Sequence, residues 1–513
     1  MSRPENHPRL TACLRLARSR SAWLAVLGVA LIPRLVLLAA RPVWYDEAFA
    51  ALFSAKGPAA MLYGTLAQEA GVAADVHPIL YYTLLWMWQL VFGGGPLAIR
   101  SLSVLLGLAV VGLGYWLARE LWGRETAFVA GLLLALSPFQ VHYAQEARMY
   151  ALLAALLLAA TLVYHRAMRE SGWRAWALFA VLAAAAQYAH NLAFVFLIPL
   201  AITPLAIRHW RAAAATALAG LGAAALYLPW LLRVPSQIAR VEWAYWIAPP
   251  GPMELVRTLL VYLSGLPIPE WSLPLVLAAG LLLVVIATLS TVRALRAKAD
   301  GARRGAWAAW LAAGPVLVMF LVSLWRPVYL DRALLPAGAM FALWIAWALG
   351  SGSISAPLHR TAWAGLVTAF AVGLVGFFTY RGFPYAPFQE LDSLLRSERA
   401  AAEVVLHSNK ITALPAVYAG PDLQQRYLAD PPRSASDSLA PATQAVLGLP
   451  ASADAASAVA DAAGVWFVMF DREIEDYRAE GVERHPALAW LEAHFRLVDS
   501  VSLGELSVYH FVR

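Results

Sequence analysis

The sequence predicts an α-helical polytopic membrane protein with about eleven transmembrane helices and a small C-terminal α/β domain outside the membrane. Three observations support this prediction. Hydrophobic residues make up 61% of the 513 residues and charged residues only 14%, which is more apolar than an ordinary soluble protein. Apolar stretches of about 20 residues, the length that crosses a bilayer, recur between residues 22 and 380. After residue 380 the apolar stretches become shorter and the net charge changes sign.

The charge distribution separates the same two parts of the chain. Residues 1–380 carry 28 Lys and Arg against 14 Asp and Glu, whereas residues 381–513 carry 11 and 18. The basic excess therefore belongs to the membrane part and does not indicate nucleic-acid binding. The single cysteine, Cys13, excludes an internal disulfide and a multi-cysteine metal site. We predict a membrane domain over 1–380 and an extracytoplasmic domain over 381–513.

The predicted spans begin with a retained first helix, because its apolar stretch is too long for a signal-peptide core and has no clear cleavage site. Lys and Arg in short loops favour the cytoplasm. With the basic N-terminus inside, most loop arginines also fall inside and the C-terminal region falls outside the cytoplasmic (inner) membrane. The predicted spans are 22–40, 97–118, 126–140, 150–166, 174–190, 192–207, 212–230, 272–292, 306–324, 334–350 and 363–380.

Two further apolar stretches, 77–95 and 252–266, do not fit as spans. The first is short, rich in aromatic residues and ended by glycines, and counting it as a span would invert the basic loops that follow. We expect both to be interfacial or re-entrant helices on the outer face. Aromatic residues suited to that depth accompany them: Trp44, Tyr45, Trp86, Trp88, Trp243, Tyr245 and Trp246.

The C-terminal region has the patterns of a small α/β domain. The run 464–471 predicts a buried strand, and 495–513 predicts a hairpin that turns near Gly504. Residues 386–400 and 485–495 have helical periodicity, and 430–443 is expected to be a loop. No internal repeat suggests the inverted symmetry of many transporters.

The first acidic pair, Asp46 and Glu47, directly follows the first predicted span and begins a short helix, "DEAFAALFSA". Polar residues gathered at the outer ends of spans indicate a candidate site. The pair also has a simpler interpretation, in which Asp46 caps the helix and both negative charges interact favourably with the helix dipole.

A second cluster lies in 137–153, between the third and fourth spans. One short connection holds His142, Tyr143, Gln145, Glu146, Arg148 and Tyr150. The simpler alternative is a surface ion pair between Glu146 and Arg148 within an aromatic belt.

A third cluster lies in 324–338, between the ninth and tenth spans, and contains Arg326, Tyr329, Asp331 and Arg332. Guanidinium groups and a phenol could hold a phosphate there. The alternative is that either arginine anchors lipid headgroups. Weaker candidates are His77, the His190-Asn191 pair, and Arg34, which lies within a span and so needs a partner or a polar cavity.

Four motifs, in order, resemble a known family: "VWYDEAFA", "HPILYYTLLWMW", "SPFQVHYAQEARMYALLAALLLA" and "RPVYLDRALLP". They are similar to the GT-C glycosyltransferases of the family 39 type, which include protein O-mannosyltransferases, bacterial aminoarabinose transferases of lipid A and Rgt-type transferases. The resemblance covers roughly residues 20–380. It implies transfer of a sugar from a polyprenyl-phosphate donor to a glycan, lipid or protein acceptor, in agreement with the absence of a Gly-rich nucleotide fingerprint.

The resemblance also implies roles for individual residues. The acidic position of the first outer loop, which is catalytic in the family, corresponds to Asp46 with Glu47 beside it, and that of the second corresponds to Glu146. His77 matches the "HP" motif. Arg332 matches the late arginine, although Ala333 stands where the family often has Tyr, a change for which Tyr329 could compensate.

The chemistry requires a base for the acceptor hydroxyl and cations for the leaving phosphate. Asp46 is expected to be that base, or to bind a divalent metal ion together with Glu146 or Glu47. Arg148, Arg332 and His77 are expected to hold the phosphate. Two other classes remain open. A polytopic lipid or glycan transporter, such as a flippase, would use the polar residues as a gate, and a non-catalytic assembly protein would use its outer domain to bind a partner.

Overall fold

The structure is a computed structural model that describes residues 17–69, 72–73, 77–170, 172–243, 247–351, 355–430, 438–479 and 481–513. Cys13, Tyr245 and Trp246 lie outside the described residues. The chain forms two compact units. The helical unit comprises Met1–Val36, Arg100–Leu231 and Ile247–Tyr380, and the outer-loop unit comprises Leu37–Ile99, Leu232–Trp246 and Arg381–Arg513. The predicted domain boundary at residue 380 stays a prediction.

Helices occupy all of the predicted span positions. Seven of the helices in the described ranges are long and apolar enough to cross a membrane, or eight if one bent pair is a single span. The others are shorter than the roughly 20 residues that a span needs. The helices are Ala22–Leu35, Pro96–Trp122, Arg124–Leu136, Pro138–Ala144, Tyr150–Glu170, Trp173–Ala189, Phe194–Ala206, Trp210–Leu231, Leu273–Arg296, Ala302–Trp325, Leu335–Gly350 and Ala356–Thr379.

The predicted span 126–140 is not one helix, and this part of the prediction is wrong. Arg124–Leu136 and Pro138–Ala144 are bent by 59° at Ser137. Proline has no N–H and disfavours helical dihedrals in the residue before it. Ser137 accordingly leaves the helical region, with φ −59° and ψ 120°, and its hydroxyl accepts a hydrogen bond from the Gln140 amide that starts the second helix.

Arg34 compensates for this bend. Its side chain is 0% exposed and donates to the carbonyls of Ala135 at 2.9 Å and Leu134 at 3.3 Å. A third bond goes to Ala30 in its own helix, at 2.8 Å. Because Pro138 lacks an N–H, the Leu134 carbonyl has no donor four residues on. The intramembrane arginine therefore supplies the donors that the broken helix loses.

The stretch predicted at 252–266 forms Pro252–Ser264, a helix of 13 residues that is too short to span a bilayer. It lies close to Ala356–Thr379, where a Cβ on Gly373 would stand 2.1 Å from the Ser264 carbonyl oxygen. Only glycine allows the two helices to approach this closely.

The outer-loop unit contains short elements from the first outer segment. The stretch predicted at 77–95 forms Leu80–Phe92, which has 13 residues and ends at Gly93 with φ +81°. Two-residue strands, β1 and β2, pair antiparallel. The remaining short elements are Tyr45–Ser54, Pro58–Leu66, Val234–Trp243, β1 (Gln68–Glu69) and β2 (Val72–Ala73).

The C-terminal region forms the predicted α/β domain around a six-stranded sheet of order β5-β4-β3-β6-β8-β7. Strands β3 to β6 are parallel, whereas β8 pairs antiparallel with β6 and with β7. Every residue of β3 and β6 is buried, as expected for central strands covered on both faces. The strands are β3 (Glu403–His407), β4 (Gln425–Leu428), β5 (Ala451–Ser452), β6 (Gly464–Phe470), β7 (Arg496–Leu503) and β8 (Leu506–Val512).

Most local predictions in this domain are confirmed. The hairpin turns at Gly504, which has φ +61°, and the two predicted helices form at Phe388–Glu398 and Pro486–His494. The loop predicted at 430–443 is wrong at its end, because a proline at the first helical position begins a helix there. Residues 431–437 lie outside the described ranges. The other helices are Lys410–Ala419, Pro441–Leu447, Ala455–Ala458 and Asp471–Ala479.

Candidate functional site

Asp46 and Glu47 lie in the first turn of Tyr45–Ser54 in the outer-loop unit. The N-cap is Trp44, which makes no side-chain cap hydrogen bond, so the interpretation of Asp46 as the N-cap residue is wrong. Both charges still lie at the positive end of the helix dipole, which stabilises carboxylates. The Glu47 side chain is buried, at 1% exposure, whereas Asp46 is partly exposed. Asp46 is therefore the more accessible acid of the pair.

Two cations of the same unit accompany this helix, and sequence reasoning missed both. The Lys410 ammonium lies 5.8 Å from the centroid of the Tyr45 ring. The Arg41 guanidinium lies 3.9 Å from the centroid of the Tyr385 ring. Arg41 lies two residues before the first motif and could have been noticed there, whereas nothing in the sequence links Lys410 to residue 45. His77 is partly buried just before Leu80–Phe92.

The second cluster belongs to the helical unit and contains a buried histidine–carboxylate pair. His142 Nε2 lies 3.6 Å from Glu146 Oε2. The other ring nitrogen, Nδ1, lies 3.1 Å from the Leu266 carbonyl oxygen, which can only accept. The ring stacks on Tyr143 and contacts Phe377, each at a centroid distance of 4.7 Å. These contacts fix the imidazole against three segments of the unit.

The connection between Pro138–Ala144 and Tyr150–Glu170 is held rigidly. Gln145 Nε2 donates to the carbonyls of Pro33 and Val36, both at 2.9 Å. Glu146 and Arg148 are 5% and 3% exposed, so the alternative of a surface ion pair is wrong. Charged side chains buried at the end of a membrane helix bundle are typical of functional sites.

Aromatic rings link this connection to Arg332. The Arg332 guanidinium lies 5.2 Å from the centroid of the Tyr150 ring, within the range of a cation–π contact. Tyr150 in turn packs edge-on against Tyr143 at 5.3 Å and lies 5.7 Å from the His190 ring. The structure thus joins predicted residues from the second and third clusters in one contact network.

Tyr329 and Asp331 face a helix that the sequence did not connect to them. The Tyr329 hydroxyl lies 2.6 Å from Thr258 Oγ1, and Asp331 Oδ2 lies 2.8 Å from Arg257 Nε. Both partners belong to Pro252–Ser264. The pairing holds the segment before Arg332 in place.

The described part of the chain has no group of three or more His, Cys, Asp or Glu arranged to hold a metal ion. The His142–Glu146 pair offers two such groups. A divalent ion bound by Asp46 and Glu146 stays a prediction.

A separate buried polar cluster lies in the C-terminal domain, at the carboxyl ends of β3 and β6. The Ser408 hydroxyl donates to Glu473 Oε1 at 2.9 Å, and His485 Nε2 lies 3.8 Å from Glu473 Oε2. Burial raises the pKa of Glu473 to about 7, although hydrogen bonds from Ser408 and the Phe470 amide oppose this change. Burial also lowers the pKa of His485 to about 4.

Comparison with known proteins explains this architecture. The family model of dolichyl-phosphate-mannose-protein mannosyltransferases matches residues 76–232, while no curated protein sequence matches the chain. The structure of ArnT from Cupriavidus metallidurans bound to undecaprenyl phosphate superposes with a TM-score of 0.61 at 15% identity, covering 96% of this chain and 98% of ArnT. The fold is GT-C.

Other GT-C structures agree. The apo state of the same ArnT gives a TM-score of 0.62 at 14% identity over 95% of this chain and 97% of that one. The apo oligosaccharyltransferase of Archaeoglobus fulgidus gives 0.53 at 11% identity over 93% and 73%. The predicted GT-C-like, multi-pass membrane fold with a small C-terminal α/β domain is confirmed.

Proposed function

We propose that this GT-C protein is a membrane glycosyltransferase that moves a hexose or pentose from a polyprenyl-phosphate donor to an acceptor hydroxyl. The acceptor is a glycan, a lipid or a protein on the outer face of the cytoplasmic membrane. Support comes from the mannosyltransferase family model and from the similarity to ArnT, which was solved with undecaprenyl phosphate bound.

The observation that carries the proposal is the buried network of the helical unit. It places the Glu146 carboxylate 3.6 Å from the His142 imidazole, which aromatic rings link to Arg332. The buried Arg148 lies two residues after Glu146. Glycosyl transfer from a phosphate needs both kinds of group, because a hydroxyl must lose its proton while a phosphate leaves as an anion. A packing role alone would not require buried charges of both signs.

We assign the role of general base to Asp46. It accepts the proton of the acceptor hydroxyl while the hydroxyl oxygen forms a bond to the anomeric carbon. The bond between that carbon and the phosphate oxygen breaks, and its electron pair leaves with the polyprenyl phosphate. Among the first acidic pair, Asp46 suits this role because it is partly exposed, whereas Glu47 is buried. We assign Glu47 and Glu146 supporting roles.

We propose that the leaving phosphate is bound by Arg148, Arg332 and His77. Guanidinium groups bind phosphate oxygens through paired N–H donors. The Tyr329 hydroxyl, which is already bonded to Thr258, is proposed to position the segment that carries Arg332.

The test is transfer of a radiolabelled sugar from the polyprenyl-phosphate pool to endogenous acceptors in inverted and right-side-out vesicles. Asp46→Asn removes the charge and keeps the shape, so transfer is expected to fall by about 10²-fold or more, the usual scale for a positioned base. Glu125→Gln is the matched control, because Glu125 is exposed and paired with Arg18. Wild-type transfer by Asp46→Asn at equal membrane levels would refute the assignment.

The transporter alternative is weakened by Arg34. Ionisable residues within spans commonly mark transport pathways, but the two terminal nitrogens of Arg34 donate to three backbone carbonyls. This structural role makes Arg34 a poor candidate for a transport pathway. Purified protein in liposomes distinguishes the two functions, since a flippase would move lipid-linked sugar without forming a new glycosidic bond.

A further inference from the structure

A cavity of about 340 Å³ opens in the helical unit at the start of Arg124–Leu136. We call it the arginine cavity. Among the described residues five line it, of which three are arginines and none is acidic: Ser19, Arg20, Tyr115, Arg119 and Arg124. Three guanidinium groups around one space repel each other unless an anion lies between them.

The acidic residues that flank these arginines in sequence are bound elsewhere. Glu125 Oε1 accepts a hydrogen bond from Arg18 Nε at 2.7 Å. Glu120 Oε1 accepts one from Arg166 Nε at 2.8 Å. Neither carboxylate lines the cavity, so the lining keeps its positive character.

Two helices begin at the cavity. Ala22–Leu35 and Arg124–Leu136 run parallel, because Arg18 bonds to Glu125 at one end and Arg34 bonds to Ala135 at the other. Both N-termini therefore lie at the same end as the arginines. Each helix N-terminus carries a partial positive charge and N–H groups without intrahelical acceptors, which favours an anion.

Neutral groups orient two of the three arginine side chains, those of Arg119 and Arg124. The Arg119 guanidinium lies 4.5 Å from the centroid of the Trp116 ring. Arg124 Nη1 donates to the Arg18 carbonyl at 2.9 Å. These contacts fix the guanidinium groups without cancelling their charge.

We infer that the arginine cavity is a binding site for a phosphate group, held by Arg20, Arg119 and Arg124 with the Tyr115 hydroxyl. Arginine forks match phosphate oxygens, and basic pockets between membrane helices bind anionic headgroups. On the predicted orientation this end of the bundle faces the cytoplasm, where anionic phospholipids and free phosphate are both available. The site lies at the opposite end of Arg124–Leu136 from the bend that leads to His142, and so does not depend on the proposed transferase function.

Native mass spectrometry of the full-length protein in detergent tests the site with phosphatidylglycerol, phosphatidylcholine and inorganic phosphate as separate probes. We expect retention of phosphatidylglycerol over phosphatidylcholine. The double variant Arg119→Gln/Arg124→Gln is expected to lower that retention by at least about tenfold, given the strength of charge-assisted bonds. If the wild type retains inorganic phosphate but neither phospholipid, and the double variant loses this retention, the result would support the site and identify its ligand as a soluble phosphate.

The matched control is Arg303→Gln/Arg360→Gln, which removes the same charge from two exposed positions on the side predicted to be cytoplasmic. Equal losses in the two double variants would overturn the inference, because general basicity would then explain the binding. Arg20→Gln is a second variant in case the first does not fold, since Arg20 is exposed and precedes the helix. A double variant Arg20→Gln/Arg119→Lys that retains phosphatidylglycerol as well as the wild type does would also overturn the inference. So would a wild-type protein that retains none of the phosphate probes.

Discussion

His142 Nε2 lies 3.6 Å from Oε2 of Glu146, four residues later in the chain, while the opposite ring nitrogen contacts the Leu266 carbonyl. Because that carbonyl only accepts, Nδ1 carries a proton, and a second proton on Nε2 would make an ion pair with Glu146. The carboxylate is therefore oriented by a histidine that is itself held in place by backbone.

Glu146→Gln is expected to lower sugar transfer by less than the roughly 10²-fold expected for the base Asp46, because the amide keeps the size of the side chain and loses only the negative charge beside His142. Initial rates in vesicles, normalised to membrane level, provide the measurement. Glu120→Gln is the comparison, since that carboxylate pairs with Arg166 and should have little effect on transfer. Equal rates for Glu146→Gln and wild type would leave Glu146 with a packing role.

Arg332→Lys is expected to raise the donor KM by roughly tenfold with a smaller change in kcat. Lysine retains the charge but lacks the planar fork and the stacking on Tyr150. Arg326→Lys in the same connection serves as the control, because the Arg326 guanidinium lies over the neighbouring Trp325 ring, 5.2 Å from its centroid. A loss confined to kcat would argue against a donor-binding role for Arg332.

Arg34→Met is expected to destabilise the protein by about 3 kcal/mol or more, because buried carbonyls that accept from a charged donor would lose it. Arg34→Lys should be intermediate, since one ammonium cannot reach Ala30, Leu134 and Ala135 together. Thermal unfolding in detergent, followed by the loss of helical circular dichroism, gives the order of the three proteins. Identical melting of Arg34→Met and wild type would show that the carbonyls find other donors.

The Glu473 cluster predicts a pH dependence with a defined sign. The folded pKa of about 7 lies above the unfolded value, so the folded state binds more protons between about pH 4.5 and 7. The contribution of Glu473 to the free energy of unfolding is therefore present at low pH and is lost as the pH rises to 7. His485, with its pKa lowered to about 4, acts in the opposite direction between about pH 4 and 6.5.

Glu473→Gln isolates the first contribution. The free energy of unfolding of this variant should rise relative to that of the wild type by up to about 3 kcal/mol between pH 5 and 7.5, because the glutamine side chain stays neutral throughout. Amide hydrogen exchange in β6 of the full-length protein, corrected for intrinsic rates, measures the local opening free energy. The Asp430 carboxylate also raises the pKa of Glu473, so Asp430→Asn should move the wild-type profile towards lower pH. A variant profile parallel to wild type would refute the raised pKa.

The proposed orientation has a direct test on a Cys13→Ser background. Ser397→Cys and Lys298→Cys place single thiols at two exposed positions on opposite predicted sides of the membrane. An impermeant thiol reagent applied to intact cells should label position 397 and leave position 298 unmodified until the cells are opened. The reverse pattern would invert the topology and remove the outer-face site.

The sequence was informative where a local rule decides the structure. Hydropathy located the span positions, and glycine with the alternating pattern located the hairpin at Gly504. The prediction from sequence was incomplete where segments that are distant in the chain contact each other. Pro138 was visible, but a proline can end or kink a helix, and only packing shows that Arg34 replaces the lost donors. The position of Lys410 beside Tyr45 likewise depends on contacts between residues that are hundreds of positions apart, which no local pattern encodes.

The bonds from Arg34 to Leu134 and Ala135 also constrain how the chain can be made. A ribosome releases the first helix about 100 residues before the carbonyls that receive its guanidinium, and an arginine within a lone span costs about 2.5–3.5 kcal/mol at the centre of an inserting helix. Until the third helix emerges, the first has no partner there for its charge. Its stable insertion must therefore wait for later synthesis, so nascent chains cut short before residue 134 should release the first helix from the membrane more readily than chains that extend beyond it.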